Sequence, residues 1–303
     1  MTEDSRTLGA PYRGRFAPSP TGPLHFGSLV TALGSYLQAR SQKGEWLVRV
    51  EDLDPPREMT GATDDILRTL EAYQLHWDGP LIYQSTRHEA YAEALAQLSA
   101  AQQTFPCGCS RKTIAEASKK SGGRIYPGTC RGGLAPGTSA RSIRVRAPDQ
   151  SIQFTDSLQG PQSTPLDKSV GDFIIRRADG LYAYHLAVVV DDAFQGISEI
   201  VRGTDLLQET PPQAYLQALL GYPTPRYAHL PMAVNAQGEK LSKHTHAPAI
   251  ERKHPGPTLF KALAFLGHPP DATVNRENPR ELLDWAVSHW NIQQVPKQHM
   301  IEA

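Results

Sequence analysis

Two short runs have residue types and spacing suited to holding a phosphorylated substrate. The first is Arg15-Phe16-Ala17-Pro18-Ser19, which continues through Pro20, Thr21, Gly22, Pro23 and Leu24 to His25-Phe26-Gly27-Ser28. Prolines stiffen this loop, and Gly27 lets a backbone come close to a ligand. A helix starting here would add free N–H groups beside the His25 imidazole, which together make a phosphate site. Alone, the stretch is equally an ordinary loop between strand and helix with a surface His. The second run is Glu239-Lys240-Leu241-Ser242-Lys243-His244. Two lysines around a Ser suit a mobile clamp on a polyphosphate, because each ammonium offers a point charge to clustered oxygens. Alone, this run is more often a charged surface loop. The third feature is Cys107-x-Cys109, followed by Cys130; these are the only 3 cysteines of the chain. Three thiols cannot all pair with one another, which disfavours a disulfide framework. Thiolates suit Zn²⁺, which takes four donors, so one position stays open and no His lies in the window. The alternative is three buried free thiols.

The elements that must position these residues follow from hydrophobic periodicity. Arg13 to Ala17 and Trp46 to Val50 read as strands, the latter ending at Glu51-Asp52. Between them, Leu29, Val30, Leu33, Tyr36 and Leu37 predict a helix over Ser28 to Arg40. Helices follow over Thr63 to Tyr73 and from Thr86, where Thr86-x-x-Glu89 has the capping-box pattern. The alternation predicts an α/β fold with a parallel sheet. It breaks near Thr104, where a stretch rich in Gly, Pro, Ser and Arg begins, with short strands over Ser142 to Ala147 and Ile152 to Asp156. Phe173 to Arg176 and Leu181 to Tyr184 predict a hairpin. A helix over Thr210 to Leu220, a strand over His229 to Val234, and helices near Leu259 to Leu266 and Arg280 to Trp290 complete the expectation. Asp52 and Asp54 are read as capping the next turn, and Trp77, Trp285 and Trp290 as packing residues.

Composition bounds the class. With 303 residues, 39% hydrophobic and 20% charged, the chain is an ordinary globular protein of roughly two domains at about 150 residues each. No run of about 18 apolar residues offers a membrane span, and residues 1–12 carry no signal-like apolar stretch, so a cytoplasmic protein without membrane partners is expected. The 31 basic and 31 acidic residues cancel. Between Cys107 and Arg146, however, nine basic residues (Arg111, Lys112, Lys119, Lys120, Arg124, Arg131, Arg141, Arg144 and Arg146) face one acid, Glu116. Such a block is a solvated face or a seat for a polyanion.

Taken together, His25-x-Gly27 and Lys240-x-Ser242-Lys243 resemble the two signatures of class I aminoacyl-tRNA synthetases. Arg15 to Ser28, Val48 to Asp54, Val188 to Asp192 and Ile200 to Asp205 resemble the glutamyl branch, over roughly residues 13–250. A chain that stops 60 residues after Lys243, with a thiol-bearing insertion and the His-Phe-Gly-Ser form of the first signature, resembles the glutamyl-queuosine tRNA(Asp) synthetases. Ser28 is the form that subfamily uses, whereas His244 stands where the second signature usually ends in Ser.

The resemblance implies a Rossmann-type catalytic domain with a parallel sheet, split into residues 1–103 and 170–250, a zinc-bearing insertion at 104–169 and a short helical region at 251–303. It implies glutamate contacts from Arg15, Phe16, Ala17, Pro18, Ser19, Glu51, Tyr184 and Arg202. Two guanidinium groups and one carboxylate complement a substrate with two carboxylates and one ammonium. It also implies ATP binding by His25, Gly27, Ser28 and Lys243, catalytic His25, Lys240 and Lys243, Mg²⁺ with ATP, and one structural Zn²⁺ on Cys107, Cys109, Tyr126 and Cys130. The expected partners are ATP, L-glutamate and the anticodon stem-loop of tRNA(Asp), met by a monomer. Glutamate would be activated without tRNA and passed to the queuosine base. Rival readings are a shortened glutamyl-tRNA synthetase charging a tRNA 3′ end, a non-catalytic RNA-binding paralogue and a small-molecule adenylyltransferase.

Overall fold

The structure is a computed structural model that describes residues 11–119, 125–241 and 248–303. Strand β1 (Arg13–Phe16) leads through the Pro/Gly loop into helix α1 (Phe26–Ser41) and back through β2 (Glu45–Val50). Helix α2 (Ala62–Ala72), strand β3 (Ile82–Tyr83) and helix α3 (His88–Ala100) follow. Next come β4 (Thr104–Cys107), α4 (Arg111–Lys119), β5 (Ser142–Val145), β6 (Ser151–Asp156), β7 (Gly160–Pro165), α5 (Leu166–Ser169) and β8 (Ile174–Arg176). The chain then forms α6 (Tyr184–Phe194), β9 (Glu199–Gly203), α7 (Thr210–Leu220), β10 (Arg226–Leu230) and β11 (Met232–Val234). It ends with α8 (Pro255–Phe265), α9 (Pro279–His289) and β12 (Met300–Glu302).

The strands β1, β2 and β3 pair in parallel, and β9 pairs in parallel with β10, which also meets β6 in parallel. The two sets join at β1 and β9, where Ser198 N–H donates to the Arg13 carbonyl at 2.9 Å and Arg13 N–H to Ser198 Oγ at 2.9 Å. Strand order therefore reverses between β1 and β9, and α/β sheets bind ligands at the strand C-termini of such a point. The expected α/β parallel-sheet fold is present. Strands β6 and β7, from the stretch read as an insertion, pair antiparallel and extend this sheet beyond β10. Strands β4, β5 and β8 form a separate antiparallel sheet that carries Cys107.

Helix α1 lies across the sheet because its apolar stripe, Leu29, Val30, Leu33 and Leu37, is fully buried against Val48, Val201 and Leu230. Each such side chain stabilises the fold by about 1.5–3 kcal/mol. The same core takes Leu259, Leu263, Leu282 and Leu283 from α8 and α9. Trp290 Nε1 donates to Gln38 Oε1 on α1 at 2.8 Å, so the C-terminal helices share the core of the catalytic sheet. Strand β12 lies parallel to β11, with Met232 opposite Met300 and Val234 opposite Glu302. A second core gathers α3, α6 and α7 through Leu95, Leu98, Leu186, Val188 and Leu216. Among the described residues, no helix is long and apolar enough to cross a membrane.

Three local expectations change. Thr86 does not cap α3: it sits in a 3₁₀ turn (Gln84–Thr86), its hydroxyl donates back to the Tyr83 carbonyl at 2.8 Å, and Arg87 holds the cap position. The second hairpin strand shrinks to one bridge between Arg176 and Tyr182, because Tyr184 already opens the buried helix α6. Asp52 instead takes the Ser85 N–H and hydroxyl at 2.9 and 2.6 Å, whereas Asp54 does hold the cap position of the turn Pro55–Arg57, with its carboxylate turned to Arg57 and Arg177.

Candidate functional site

One cavity of about 790 Å³ opens at the C-terminal ends of β1, β2 and β9, beside the N-terminus of α1. Arg15, Phe16, Ala17, Pro18, Ser19, His25, Gly27, Ser28, Glu51, Tyr184, Arg202 and Lys240 all line it. Sequence positions up to 225 apart thus meet in one place. Ser242, Lys243 and His244 lie outside the described residues.

At the sheet end, the charged groups are held by partners that the motifs did not name. Arg15, 4% exposed, turns its Nε and Nη2 onto the two oxygens of Asp192 at 3.1 and 3.3 Å. The guanidinium expected to fork onto a substrate carboxylate is thus already forked onto α6. Arg49, fully buried one strand over, donates to Asp192 and Gln195 from Nη1 at 2.8 and 2.7 Å and to Glu51 from Nη2 at 3.3 Å. Burial pushes Asp192 up, but Arg15 and Arg49 outweigh it and hold the carboxyl below its ordinary range. Glu51 has only part of that support, so burial lifts it above the usual carboxylate range. Asp191 is equally committed: it takes Gln84, Arg87 and Tyr91. Buried ions need such partners, since an isolated one costs several kcal/mol. Asp191-Asp192 at the end of the apolar run 186–190 was the sequence signal for this network.

Arg202 is built differently. At 2% exposure its Nε donates to His229 Nε2 at 3.1 Å, its Nη2 to Thr210 Oγ1 at 2.7 Å and the Leu206 carbonyl at 3.3 Å, and its Nη1 to Tyr184 Oη at 3.4 Å. These direct partners are uncharged. His229, fully buried, has its Nδ1 2.5 Å from Asp156 Oδ2.

At the other end, His25 caps α1: its Nδ1 accepts the Ser28 N–H at 3.3 Å and its Nε2 meets Ser28 Oγ at 3.0 Å. The Lys240–Leu241 backbone comes against this helix start. A Cβ on Gly27 would stand 3.4 Å from the Leu241 carbonyl oxygen and from the His25 ring, and His25 bridges Ala249. Lys240 Nζ pairs with Asp205 on the cavity wall. The first signature and the described start of the second, Lys240–Leu241, are therefore neighbours in space. Helix N–H groups, an imidazole and an ammonium converge there, the set that receives phosphate oxygens.

A second cluster lies away from this cavity. The sulfurs of Cys107, Cys109 and Cys130 lie within 4.8 Å of one another, Cys109 and Cys130 at 3.5 Å. Tyr126 Oη stands 3.4 Å from the Cys107 sulfur and 3.8 Å from that of Cys109. Tetrahedral zinc with bonds of about 2.3 Å spaces its sulfurs by about 3.8 Å, so the donor set fits. Burial alone would raise the Cys107 thiol. Hydrogen bonding with Tyr126 and Arg144 reverses this and brings it down to about 7, toward the thiolate a metal needs. Phe105, Ile114 and Leu134 are the apolar residues packed around the cluster.

Known proteins resemble this chain over most of its length. A family model described as tRNA synthetases class I (E and Q), catalytic domain, matches residues 12–273. A glutamyl-Q tRNA(Asp) synthetase of Dechloromonas aromatica is 55% identical over 297 residues, covering 97% of this chain and 99% of that protein. One of Thiobacillus denitrificans is 56% identical over 284 residues, covering 93% and 94%. Among solved structures, a glutamate-tRNA synthetase from Elizabethkingia anophelis matches with a TM-score of 0.82 and 24% identity over 97% of this chain and 68% of that one, a likeness of fold. The chain is a ligase that belongs to the class I (E and Q) tRNA synthetases, in the family of the glutamyl-Q tRNA(Asp) synthetases.

Proposed function

We propose that the cavity activates glutamate with ATP in the absence of tRNA and delivers it to the queuosine base of tRNA(Asp). The observation that carries this reading is the shared cavity: Arg15, Glu51, Tyr184 and Arg202 line the same space as His25, Gly27 and Lys240. The glutamate α-carboxylate oxygen attacks the α-phosphorus of ATP. The bond to the β-phosphate oxygen breaks, and pyrophosphate leaves. A queuosine hydroxyl then attacks the acyl carbon, and AMP departs with the bonding electrons while the hydroxyl proton is lost. No covalent enzyme intermediate is needed, so the protein's task is positioning and charge stabilisation.

In this reading Glu51 takes the substrate ammonium, and Arg202 with Tyr184 takes a carboxylate. The N-terminus of α1 with His25 and Ser28 holds the phosphates, while Lys240, joined by Lys243, neutralises the leaving pyrophosphate. Mg²⁺ would arrive on the triphosphate and supply further charge there. Asp205 on the same wall is an oxygen donor of the kind it takes. Zn²⁺ on Cys107, Cys109, Tyr126 and Cys130 would be structural, tying β4 to the loop that returns to β5. The exposed Arg111, Lys112, Arg131 and Arg141 would meet the anticodon-stem phosphates. Arg144 is not one of them: it is buried, donating to the Asp172 carbonyl at 2.7 Å.

The test is glutamate-dependent ATP–pyrophosphate exchange with no tRNA present, followed by glutamylation of tRNA(Asp). Exchange, with label on tRNA(Asp) lacking its 3′-terminal adenosine but not on tRNA lacking queuosine, is the expected result. Label that needs an intact 3′ terminus would replace this reading with charging of a tRNA end. Absence of exchange would remove the activation step.

A further inference from the structure

We propose that Asp156 and His229 are positioning residues for glutamate recognition: they hold Arg202 by a neutral acceptor, so that its charge stays available to the substrate carboxylate. This rests on the reading above in which Arg202 meets glutamate. The geometry fixes the proton positions. Arg202 Nε can only donate, so His229 Nε2, 3.1 Å away, must present its lone pair. The imidazole then carries its proton on Nδ1 and donates it to Asp156 Oδ2 at 2.5 Å. The other oxygen, Asp156 Oδ1, takes the backbone N–H groups of Leu158, Gln159 and His229 at 3.0, 2.9 and 3.2 Å. The carboxylate is thereby locked in orientation, and so is the ring.

The consequence is read at the guanidinium. Its Nε and both Nη2 protons are occupied by His229, Thr210 and Leu206. Nη1 is shared with Tyr184 Oη, on the cavity wall. Tyr184 accepts from Arg202, so its own O–H is left to donate. A substrate carboxylate is then met by two different donors, Arg202 Nη1 and Tyr184 Oη. A carboxylate in place of His229 would have neutralised Arg202, as Asp192 does for Arg15.

Asp156→Asn tests this with an isosteric change. Three N–H groups keep the amide oxygen where Oδ1 now sits, so the amide NH₂ faces His229 Nδ1. The ring must accept there and carry its proton on Nε2, which then opposes the Arg202 Nε–H. The expected result in exchange assays is a KM for glutamate raised about tenfold or more, with KM for ATP within about twofold of the parent. His229→Gln, whose amide oxygen reaches the Nε2 position, should keep KM for glutamate within about threefold, whereas His229→Leu should match Asp156→Asn. An unchanged KM for glutamate in Asp156→Asn, or equal rises for glutamate and ATP, overturns the proposal. If Asp156→Asn does not fold, the His229 pair decides: equal effects of Gln and Leu overturn it. Lack of exchange in the parent protein would instead count against the activation reading itself.

Discussion

Glu51→Gln removes one charge from the cavity while keeping its shape, so it should separate binding from folding. Arg49 retains Asp192 and Gln195, so the network beneath survives. Losing a charge-assisted contact of about 1.5–3 kcal/mol predicts a KM for glutamate raised roughly 10- to 100-fold, at a melting temperature close to the parent's. His185 sets a pH dependence. Burial, and then the Arg202 charge, push its imidazole down to about 4, so its 3.2 Å contact with Glu209 is made by the neutral ring. An unfolded His titrates near 6.5. Between these values the unfolded chain binds more protons, so this contribution is whole above about pH 6.5 and is lost as pH falls to about 4. The loss is about 3 kcal/mol, readable as urea midpoints across that window, and His185→Gln should flatten it. The cavity-lining residues were legible because motifs preserve type and spacing. Their partners were less so: Asp156 and His229 reach Arg202 through strand adjacency, which no local pattern encodes, and the Asp191-Asp192 pair was visible but its reach from helix α6 to Arg15 was not.

At the level of elements, periodicity located α1, α7 and the last two helices within a few residues, because each buries one apolar stripe. It failed at Thr86, where a turn hydrogen bond competes with the cap. It also left β6 and β7 outside the catalytic sheet, since parallel pairing with β10 joins positions 156 and 227. The start of α1 is the element most exposed to a test. Gly27→Val should crowd the Leu241 carbonyl and the His25 ring, raising KM for ATP by roughly tenfold or more while leaving KM for glutamate near the parent's. The sheet of β4, β5 and β8 carries one of the three clustered thiols, Cys107. One zinc per chain is expected by metal analysis, and Cys130→Ser should lose it and lower the melting temperature.

Across the whole molecule, a net charge of zero conceals a basic stretch between Cys107 and Arg146. Neutralising Arg111, Lys112 and Arg141 together should weaken tRNA binding and flatten its logarithmic salt dependence by about 2 to 3. An unchanged slope would mean the phosphates sit elsewhere. The final strand has another effect on the molecule as a whole. The turn ending at Lys240 grows directly out of β11, whose sheet partner is β12, and the Thr204 hydroxyl grips the carbonyl of His299 just before it at 2.6 Å. A preparation nibbled by carboxypeptidase should therefore lose pyrophosphate exchange while its circular dichroism still looks intact. Ageing of a stock would be seen first in turnover and only later in helicity.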